Sequence, residues 1–483
     1  MNNFLSRETL KIINRDISIK YNVVPQNENK DSIVFWSISD DQNTSVYLKL
    51  LTGKNIIFKI CLERELILHR KNIYRVDDKS TIVKELSELE EDAAFEKTLD
   101  NDIIDSPIVR LLNSLLDYGI EHNSSDIHID SKKEGSTIRT RVDGVLNYID
   151  EIPPKSTQML ITRIKVLSNL DYTVKNIPQD GRFTYEYLNK SIDIRVATTP
   201  TSFGEKIVLR ILNKETVEYT KEGIGLREEN LNIINSLTHQ PNGLLLICGP
   251  TGSGKTSTIY TLLKSLKSDE INIMTIEDPV EYKIEGINQI EINEKVGLNF
   301  ESGLKSILRL DPDIIMVGEI RNLETADTAI KASISGRLVF STIHANDSPA
   351  SIYRLLDMGI DNYLLSAGVI GIVSQRLLRK LCSCKKKVKK YVELYGREME
   401  IYEPVGCEKC YNGYRGRVAV FEILVVNEEL KRAINKGASL SDLRKLAEKS
   451  GMIPLKSAME DILVRGETSL EEIYKNIMTI GEK

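Results

Sequence analysis

Gly249-Pro250-Thr251-Gly252-Ser253-Gly254-Lys255-Thr256 fits the P-loop pattern at every fixed position. Glycines there let backbone N–H groups turn inward around phosphate oxygens with no Cβ in the way. Lys255 would neutralise the outer phosphates and Thr256 would offer its hydroxyl to Mg²⁺. The helix that carries Ser257 onward would point its positive end at the same anion. The segment Gly249 to Ser257 therefore predicts a nucleotide site for ATP with Mg²⁺.

Acidic strand ends supply a second element. Asp313-Ile314-Ile315-Met316-Val317-Gly318-Glu319 is an apolar run ending in a carboxylate. Such a strand can bring Glu319 to the γ-phosphate, to orient an attacking water or hold Mg²⁺ through water. Thr275-Ile276-Glu277-Asp278-Pro279-Val280-Glu281-Tyr282 also ends in acids. Carboxylates this close need solvent or a cation, so the segment reads either as a solvated turn or as a metal or water ligand. His344, in Ser341-Thr342-Ile343-His344-Ala345-Asn346-Asp347, follows another apolar run and could sense the γ-phosphate from that strand's end. A purely structural histidine would look the same.

Cys382, Cys384, Cys407 and Cys410 form two close pairs, whereas Cys61 and Cys248 are isolated. In an intracellular chain such pairs read as a metal site before a disulfide set. Cys407-Glu408-Lys409-Cys410 has the spacing with which two thiolates grip one tetrahedral Zn²⁺. Cys382-Ser383-Cys384 is one residue shorter, a tighter knuckle. Residues 385–406, 22 in number, suit a zinc-ribbon-like loop, and Lys385, Lys386, Lys387 and Lys409 would offset thiolate charge.

The elements that must position these groups are visible in the periodicity. Leu244-Leu245-Leu246-Ile247-Cys248 feeds the glycine loop, and Ile273-Met274-Thr275-Ile276, Ile314-Ile315-Met316-Val317 and Leu338-Val339-Phe340 are runs of the kind found in a parallel sheet covered on both faces. Upstream, residues 107–116 place apolar side chains at helical spacing after a Ser-Pro start. Ile127-His128-Ile129, Thr137 to Val142 and Ile192 to Val196 alternate as strands do, and Pro178-Gln179-Asp180-Gly181-Arg182 carries turn chemistry. The first 80 residues mix short strands such as Ser32-Ile33-Val34-Phe35-Trp36 and Lys54-Asn55-Ile56-Ile57-Phe58 with polar turns. Residues 85–105 are acidic and read as a solvated linker, and the tail after Val418 reads as mostly helical.

At 483 residues the chain exceeds one core, and length alone predicts about three domains. A net charge of −5 argues against a dedicated nucleic-acid binder, which would carry a basic stripe. The amino terminus lacks a basic stretch leading into an apolar run, and no apolar run approaches the length of a membrane crossing, so the expectation is a cytoplasmic protein.

In this order the segments resemble the type II secretion and type IV pilus assembly ATPase family, known as GspE and PilB. The resemblance covers residues 106–425 and is carried first by Ser125-Asp126-Ile127-His128-Ile129, Arg141-Val142-Asp143-Gly144, Pro178 to Arg182 and Gly204-Glu205-Lys206-Ile207-Val208-Leu209-Arg210. It continues through the P-loop, the Thr275–Tyr282 box, Asp311-Pro312-Asp313 leading to Gly318-Glu319-Ile320-Arg321, and the histidine box. Residues 15–75 are more weakly similar to the family's amino-terminal domain, notably at Leu51-Thr52-Gly53-Lys54.

The resemblance implies an α/β chain: a small α/β amino-terminal domain at 1–80, an acidic linker at 81–105, a PAS-like α/β middle domain at 106–220, and a RecA-like P-loop ATPase domain at 221–483 with a cysteine module at 380–412. It implies a homo-hexamer with ATP bound between the last two domains, and an inner-membrane platform protein as the partner that recruits the chain to the cytoplasmic face of the membrane. Middle-domain arginines would stabilise charge on the phosphates, with Arg195 and Arg210 the matching positions ahead of Arg139 and Arg141. Glu277 and Glu319 would be the principal acids, with the base unassigned between them. Zinc on the four cysteines would favour filament assembly over retraction, leaving pilus and secretion pseudopilus open. A nucleic-acid translocase is the competing class, which the acidic balance disfavours; cyclic di-GMP is not expected as a ligand. The chain departs from the family at Asn322, where Asp is usual, at Ser335-Gly336-Arg337, where Thr-Gly-His is usual, and at Leu310, where Gln is common.

Overall fold

A computed structural model of the chain describes residues 21–62 except Lys30, 107–212 except Asn189, and 220–477, with isolated residues between 9 and 69. The acidic segment expected as a linker lies outside the described residues. The chain divides into two compact units, residues 1–212 without the turn at 143–145, and residues 213–483 with it.

The first unit contains two sheets. Strands β1 (Val23–Glu28) and β2 (Ser32–Ser37) pair antiparallel, and β3 (Asn55–Ile60) joins β2 in parallel. The crossover is helix α1 (Gln42–Thr52), started by Asp41, whose side chain accepts from the N–H groups of Asn43 and Thr44, and stopped by Gly53 in the left-handed region. Val23, Ile33, Phe35 and Leu48 form its small core.

The larger sheet is antiparallel, in the order β6-β5-β4-β9-β8-β7. Its strands are β4 (Ser124–Lys132), β5 (Gly135–Val142), β6 (Val145–Ile152), β7 (Gln179–Tyr187), β8 (Lys190–Thr201) and β9 (Gly204–Leu212). Alternation decides its faces: Ile192, Ile194, Val196, Ile207, Leu209 and Ile211 turn inward, while Asp193, Arg195, Lys206 and Arg210 lie on the opposite face. Helices α2 (Pro107–Glu121) and α3 (Pro154–Leu167) cover the inner face, α2 through Leu111, Leu112, Leu115 and Leu116.

The turn expected at Pro178 to Arg182 is instead the start of strand β7. Gly181 is needed there for close approach rather than for turning, since a Cβ on it would stand 2.6 Å from the carbonyl oxygen of Ser168. The strand then follows the alternation of Phe183 and Tyr185 into the core.

In the second unit, β10 (Gly243–Cys248) lies near the middle of a seven-stranded sheet ordered β12-β11-β13-β14-β10-β15-β18. The neighbours are β11 (Ile273–Glu277), β12 (Asn288–Glu291), β13 (Ile314–Val317), β14 (Leu338–Ile343), β15 (Val369–Leu381) and β18 (Tyr414–Val425). All pairings are parallel except β15 with β18. Leu244, Leu246 and Cys248 enter one core and Leu245 and Ile247 another, which is why the run is apolar without alternation. Helices α4 (Glu228–Thr238), α5 (Lys255–Leu266), α6 (Phe300–Ile307), α7 (Leu323–Ile334), α8 (Ser348–Asp357) and α9 (Asn362–Gly368) complete these layers. A hairpin of β16 (Lys386–Val392) and β17 (Arg397–Glu403) stands apart from the main sheet. Helical structure after Val418 starts later than expected, because β18 first runs to Val425 against β15. Four helices follow: α10 (Glu428–Asn435), α11 (Leu440–Lys449), α12 (Leu455–Val464) and α13 (Leu470–Ile477).

One buried ion pair locks the first unit. Lys165 on α3, 0% exposed, meets Glu205 on β9, 5% exposed, at 2.5 Å, and Lys165 Nζ also donates to the Val174 carbonyl at 2.8 Å. Removing one member of such a pair strands a charge and costs about 3–5 kcal/mol, whereas replacing both with apolar groups is near neutral. Glu205→Gln should therefore raise amide exchange across β8 and β9 by at least about hundredfold. Lys165→Met combined with Glu205→Leu should restore most of the protection. Equal exchange in the single and double variants would show that the charges are not what matters.

Candidate functional site

The P-loop is the connection from β10 to α5. Gly249 has φ +148° and Gly254 φ +89°, both in the region that favours glycine. A Cβ on Gly249 would meet the Gln375 carbonyl oxygen at 2.6 Å and Ser253 Oγ at 2.7 Å; one on Gly254 would meet Gln375 Nε2 at 2.9 Å. The loop is thus pressed onto β15, and only glycine fits the contact. Pro250, Thr251 and Gly252 form its exposed outer part, while Ser253 is buried with its Oγ unpartnered. Lys255 opens α5 and folds back, donating from Nζ to the carbonyls of Gly249 at 2.8 Å and Pro250 at 3.0 Å. Thr256 and Ser257 follow in the first turn, both half-buried. A glycine cradle, an orphan hydroxyl, a helix amino terminus and a lysine held at the rim fit a phosphate chain.

Glu319 stands just beyond β13. Its backbone is fixed from both sides: Gly318 N–H donates to Ile276 at 2.8 Å, Thr342 Oγ1 to Gly318 at 2.7 Å, and Ile320 N–H to Thr342 at 2.9 Å. Its carboxylate, 18% exposed, pairs with Arg321 and lies 3.7 Å from His344 Nε2. Burial and the Lys255 charge hold the His344 ring below the ordinary histidine value, against the pull of Glu319. Burial likewise lowers the Lys255 ammonium, opposed by Cys248 and Glu319. Lys255, Glu319 and His344 therefore form one electrostatic group at the sheet's carboxyl edge.

Glu277 occupies a different setting. It is 2% exposed, and its carboxylate accepts from Tyr260 OH, from Thr275 Oγ1 at 2.6 Å and from Gln289 Nε2 at 3.1 Å. Gln289 also donates to the Tyr282 carbonyl at 3.2 Å and accepts from Ile284 N–H at 2.6 Å, which fixes the loop after β11. Of the clustered acids, Asp278 and Glu281 are exposed and Glu277 alone is buried.

Arg195 and Arg210 fall in the first unit, opposite each other on β8 and β9. The row continues to Arg182 on β7 and, through Asp126 on β4, to Arg141 on β5. Arg210 Nε donates to Asp126 Oδ1 at 3.1 Å, and Arg139 pairs with Asp130 at 2.7 Å. The sequence pattern missed Arg182, which was read as part of a turn.

The four paired cysteines converge despite the shortened first pair. Their sulfurs lie within 4.8 Å of one another, with Cys382 to Cys407 and Cys384 to Cys410 both at 3.8 Å and Cys407 to Cys410 at 3.6 Å. Thiolates at about 2.3 Å from a tetrahedral Zn²⁺ stand about 3.8 Å apart, so the donor set fits. Cys382 is anchored by its N–H to the Gly413 carbonyl at 2.9 Å, and Cys407 N–H donates to Cys410 Sγ at 3.2 Å. The backbone N–H of Cys384 holds the Cys382 thiol down, to about 6.

Asn322 caps α7 by accepting from Thr325 N–H at 3.0 Å, a task Asp would perform equally. Arg337 turns back onto Ser335, and Leu310 is exposed. Sequence reading also missed Tyr260, Gln289 and Gln375, whose partners are set by strand register rather than local spacing.

A family model described as Type II/IV secretion system protein matches residues 102–475. The type II secretion system protein E of Dickeya dadantii is 43% identical over 382 residues, covering 77% of this chain and 76% of its own. The type IV pilus assembly ATPase PilB of Myxococcus xanthus is 36% identical over 496 residues, covering 97% of this chain and 86% of its own. Among solved structures, the pilus retraction motor PilT with bound ADP aligns with TM-score 0.52 and 26% identity over 75% of this chain and 95% of that one. The DotB ATPase of Legionella pneumophila aligns with TM-score 0.58 at 21% identity over 79% and 98%, a likeness of fold. With a RecA-like sheet carrying the P-loop and Glu319 inside the matched region, the chain belongs to the type II secretion and type IV pilus assembly ATPase family and is an ATPase.

Proposed function

We propose that this ATPase is the Mg²⁺-dependent hexameric motor of type IV pilus assembly, driving pilin polymerisation through an inner-membrane platform protein. The observation that carries the pilus reading is coverage: PilB of M. xanthus matches 97% of the chain, the amino-terminal region included, against 77% for the secretion protein of D. dadantii. The higher identity of the latter, 43% against 36%, supports pseudopilus assembly as the second reading. No helix among the described residues is long and apolar enough to cross a membrane, which is consistent with recruitment by a partner. The division at 1–80, 81–105, 106–220 and 221–483 is supported by the separate sheets of the described segments.

In the catalytic cycle, the P-loop amides and Lys255 bind the phosphates, and Thr256 would hold Mg²⁺, which supplies charge neutralisation on the β- and γ-phosphates. Glu319, partly exposed beside Lys255 and His344, orients and deprotonates the attacking water. Glu277, already engaged by three donors, acts by fixing Tyr260 of the P-loop helix. His344 reports the γ-phosphate. Arg195 and Arg210 complete the charge stabilisation when the middle domain closes, so turnover requires domain movement. Cys382, Cys384, Cys407 and Cys410 hold structural zinc.

Lys255→Ala should weaken nucleotide binding and lower hydrolysis by at least about hundredfold. Glu319→Gln should spare binding and lower turnover by about 10² to 10⁴, and full turnover in that variant would assign the base elsewhere. Purified protein should contain one zinc per chain; metal analysis well below that sinks the zinc assignment. In the native host, a Lys255→Ala allele should abolish surface pili while secretion continues. Intact pili with lost secretion would select the second reading.

A further inference from the structure

Strand β15 passes directly beneath the P-loop. Ser374 is opposite Cys248, the last residue of β10, so Gln375 and Arg376 come to lie under the glycine turn. Gln375 accepts from Thr258 Oγ1 of α5 at 2.7 Å. Arg376 is 1% exposed, yet it has no ion-pair partner among the described residues. Its Nη1 donates to the Gln375 carbonyl at 3.0 Å and its Nη2 to the Asn346 carbonyl at 2.6 Å, while Nε has no acceptor. The nearest acids are committed elsewhere. Glu422 accepts from the N–H groups of Ser348 at 2.7 Å and Leu455 at 3.0 Å, and Asp347 accepts from Ala350 N–H at 2.6 Å and from Arg444.

A guanidinium stays charged at any assay pH, and a buried charge held only by carbonyls is costly. Three residues along the same strand, Arg379 shows the ordinary solution, a direct pair with Glu472 at 2.7 Å. Arg376 instead touches the loop: a Cβ on Gly249 would lie 3.2 Å from its Nη1. Its charge reaches Lys255, whose ammonium it helps to depress. The Asn346 carbonyl that it grips is two residues beyond His344.

We propose that Arg376 is a positioning residue of the nucleotide site, a buried cation whose counter-charge is the bound phosphate chain and whose fork joins the first P-loop glycine to the histidine loop. This rests on the reading of the P-loop as the phosphate cradle. The charge draws the phosphates in through the backbone, and the Asn346 contact sets where His344 and Glu319 stand. The first effect belongs to binding, the second to turnover.

The two parts separate by substitution in the full-length protein, with binding read by a fluorescent ADP or ATP analogue and turnover by phosphate release. Arg376→Met should weaken binding of both nucleotides by about tenfold or more and shrink the nucleotide-induced rise in Tm. Arg376→Lys, which keeps the charge and loses the fork, should recover binding to within about threefold while kcat stays at least about tenfold down. Arg379→Met, the same change at the paired arginine, should lower Tm without altering the nucleotide-induced rise. Wild-type affinity in Arg376→Met, or equal binding loss in the Met and Lys variants, overturns the proposal. If Arg376→Met does not fold, Arg376→Lys decides alone, and wild-type kcat there is the overturning result. Lys255→Ala run in parallel tests the underlying reading. Binding retained in Lys255→Ala defeats the P-loop assignment itself, whereas binding lost there but kept in Arg376→Met defeats only the role of Arg376.

Discussion

The close contact between Gly249 and β15 is the constraint on which the nucleotide site depends. Because β10 is hydrogen-bonded to β14 on one side and β15 on the other, its carboxyl end cannot continue without turning over one of them. The glycine loop turns against Gln375, at a separation no Cβ would allow. Parallel pairing then does the rest. Strands β11, β13 and β14 all end at the same edge, so Glu277, Glu319 and His344 are delivered together with no need for proximity in sequence.

Within that edge, burial sorts the acids. A carboxylate that must meet water or a hydrated cation has to remain reachable, and Glu319 does so while Thr342 and Ile276 fix its backbone. Glu277 has exchanged reach for rigidity. Three donors fill its lone pairs, and an unsatisfied carboxylate at that depth would cost several kcal/mol, so the hydrogen-bonded state is the one the fold preserves. Tyr260 and Gln289 are the visible consequence: the P-loop helix and the loop after β11 are tied to one acid.

How much of this could be read from the sequence follows from the range of each interaction. The P-loop was legible because its chemistry is local: eight consecutive residues hold the glycines, the lysine and the hydroxyl. Glu319 was legible because an apolar strand announces its own end. Gln375 and Arg376 were not, since nothing near them in sequence shows that β15 would lie beside β10 in that register. Pro178 to Arg182 misled for a related reason. Its glycine answers to the Ser168 carbonyl, a contact made across the fold, and turn composition gives no hint of it. The cysteines were legible as donors from their pairing, but convergence of a shortened pair with a full one depends on the turns at Gly413 and Cys407.

The hairpin between the cysteine pairs shows why a metal matters more there than its charges do. Lys387 with Glu400, Lys389 with Glu398 and Lys390 with Glu403 form cross-strand pairs, every member of which is about half exposed or more. Such pairs contribute about 0–1 kcal/mol each and weaken with salt. One face does better: Val392, Met399 and Ile401 are buried with Leu455, Met459 and Ile473 of the last helices. That contact holds the tip of the hairpin, not its base, where residues 385–406 must begin and end at one point. Closing the base with four thiolates on one ion can supply on the order of 10 kcal/mol, more than all the surface pairs together. The lysines then have a simpler task, to balance thiolate and glutamate charge so that the strand pair is neutral and the cluster can form at its foot.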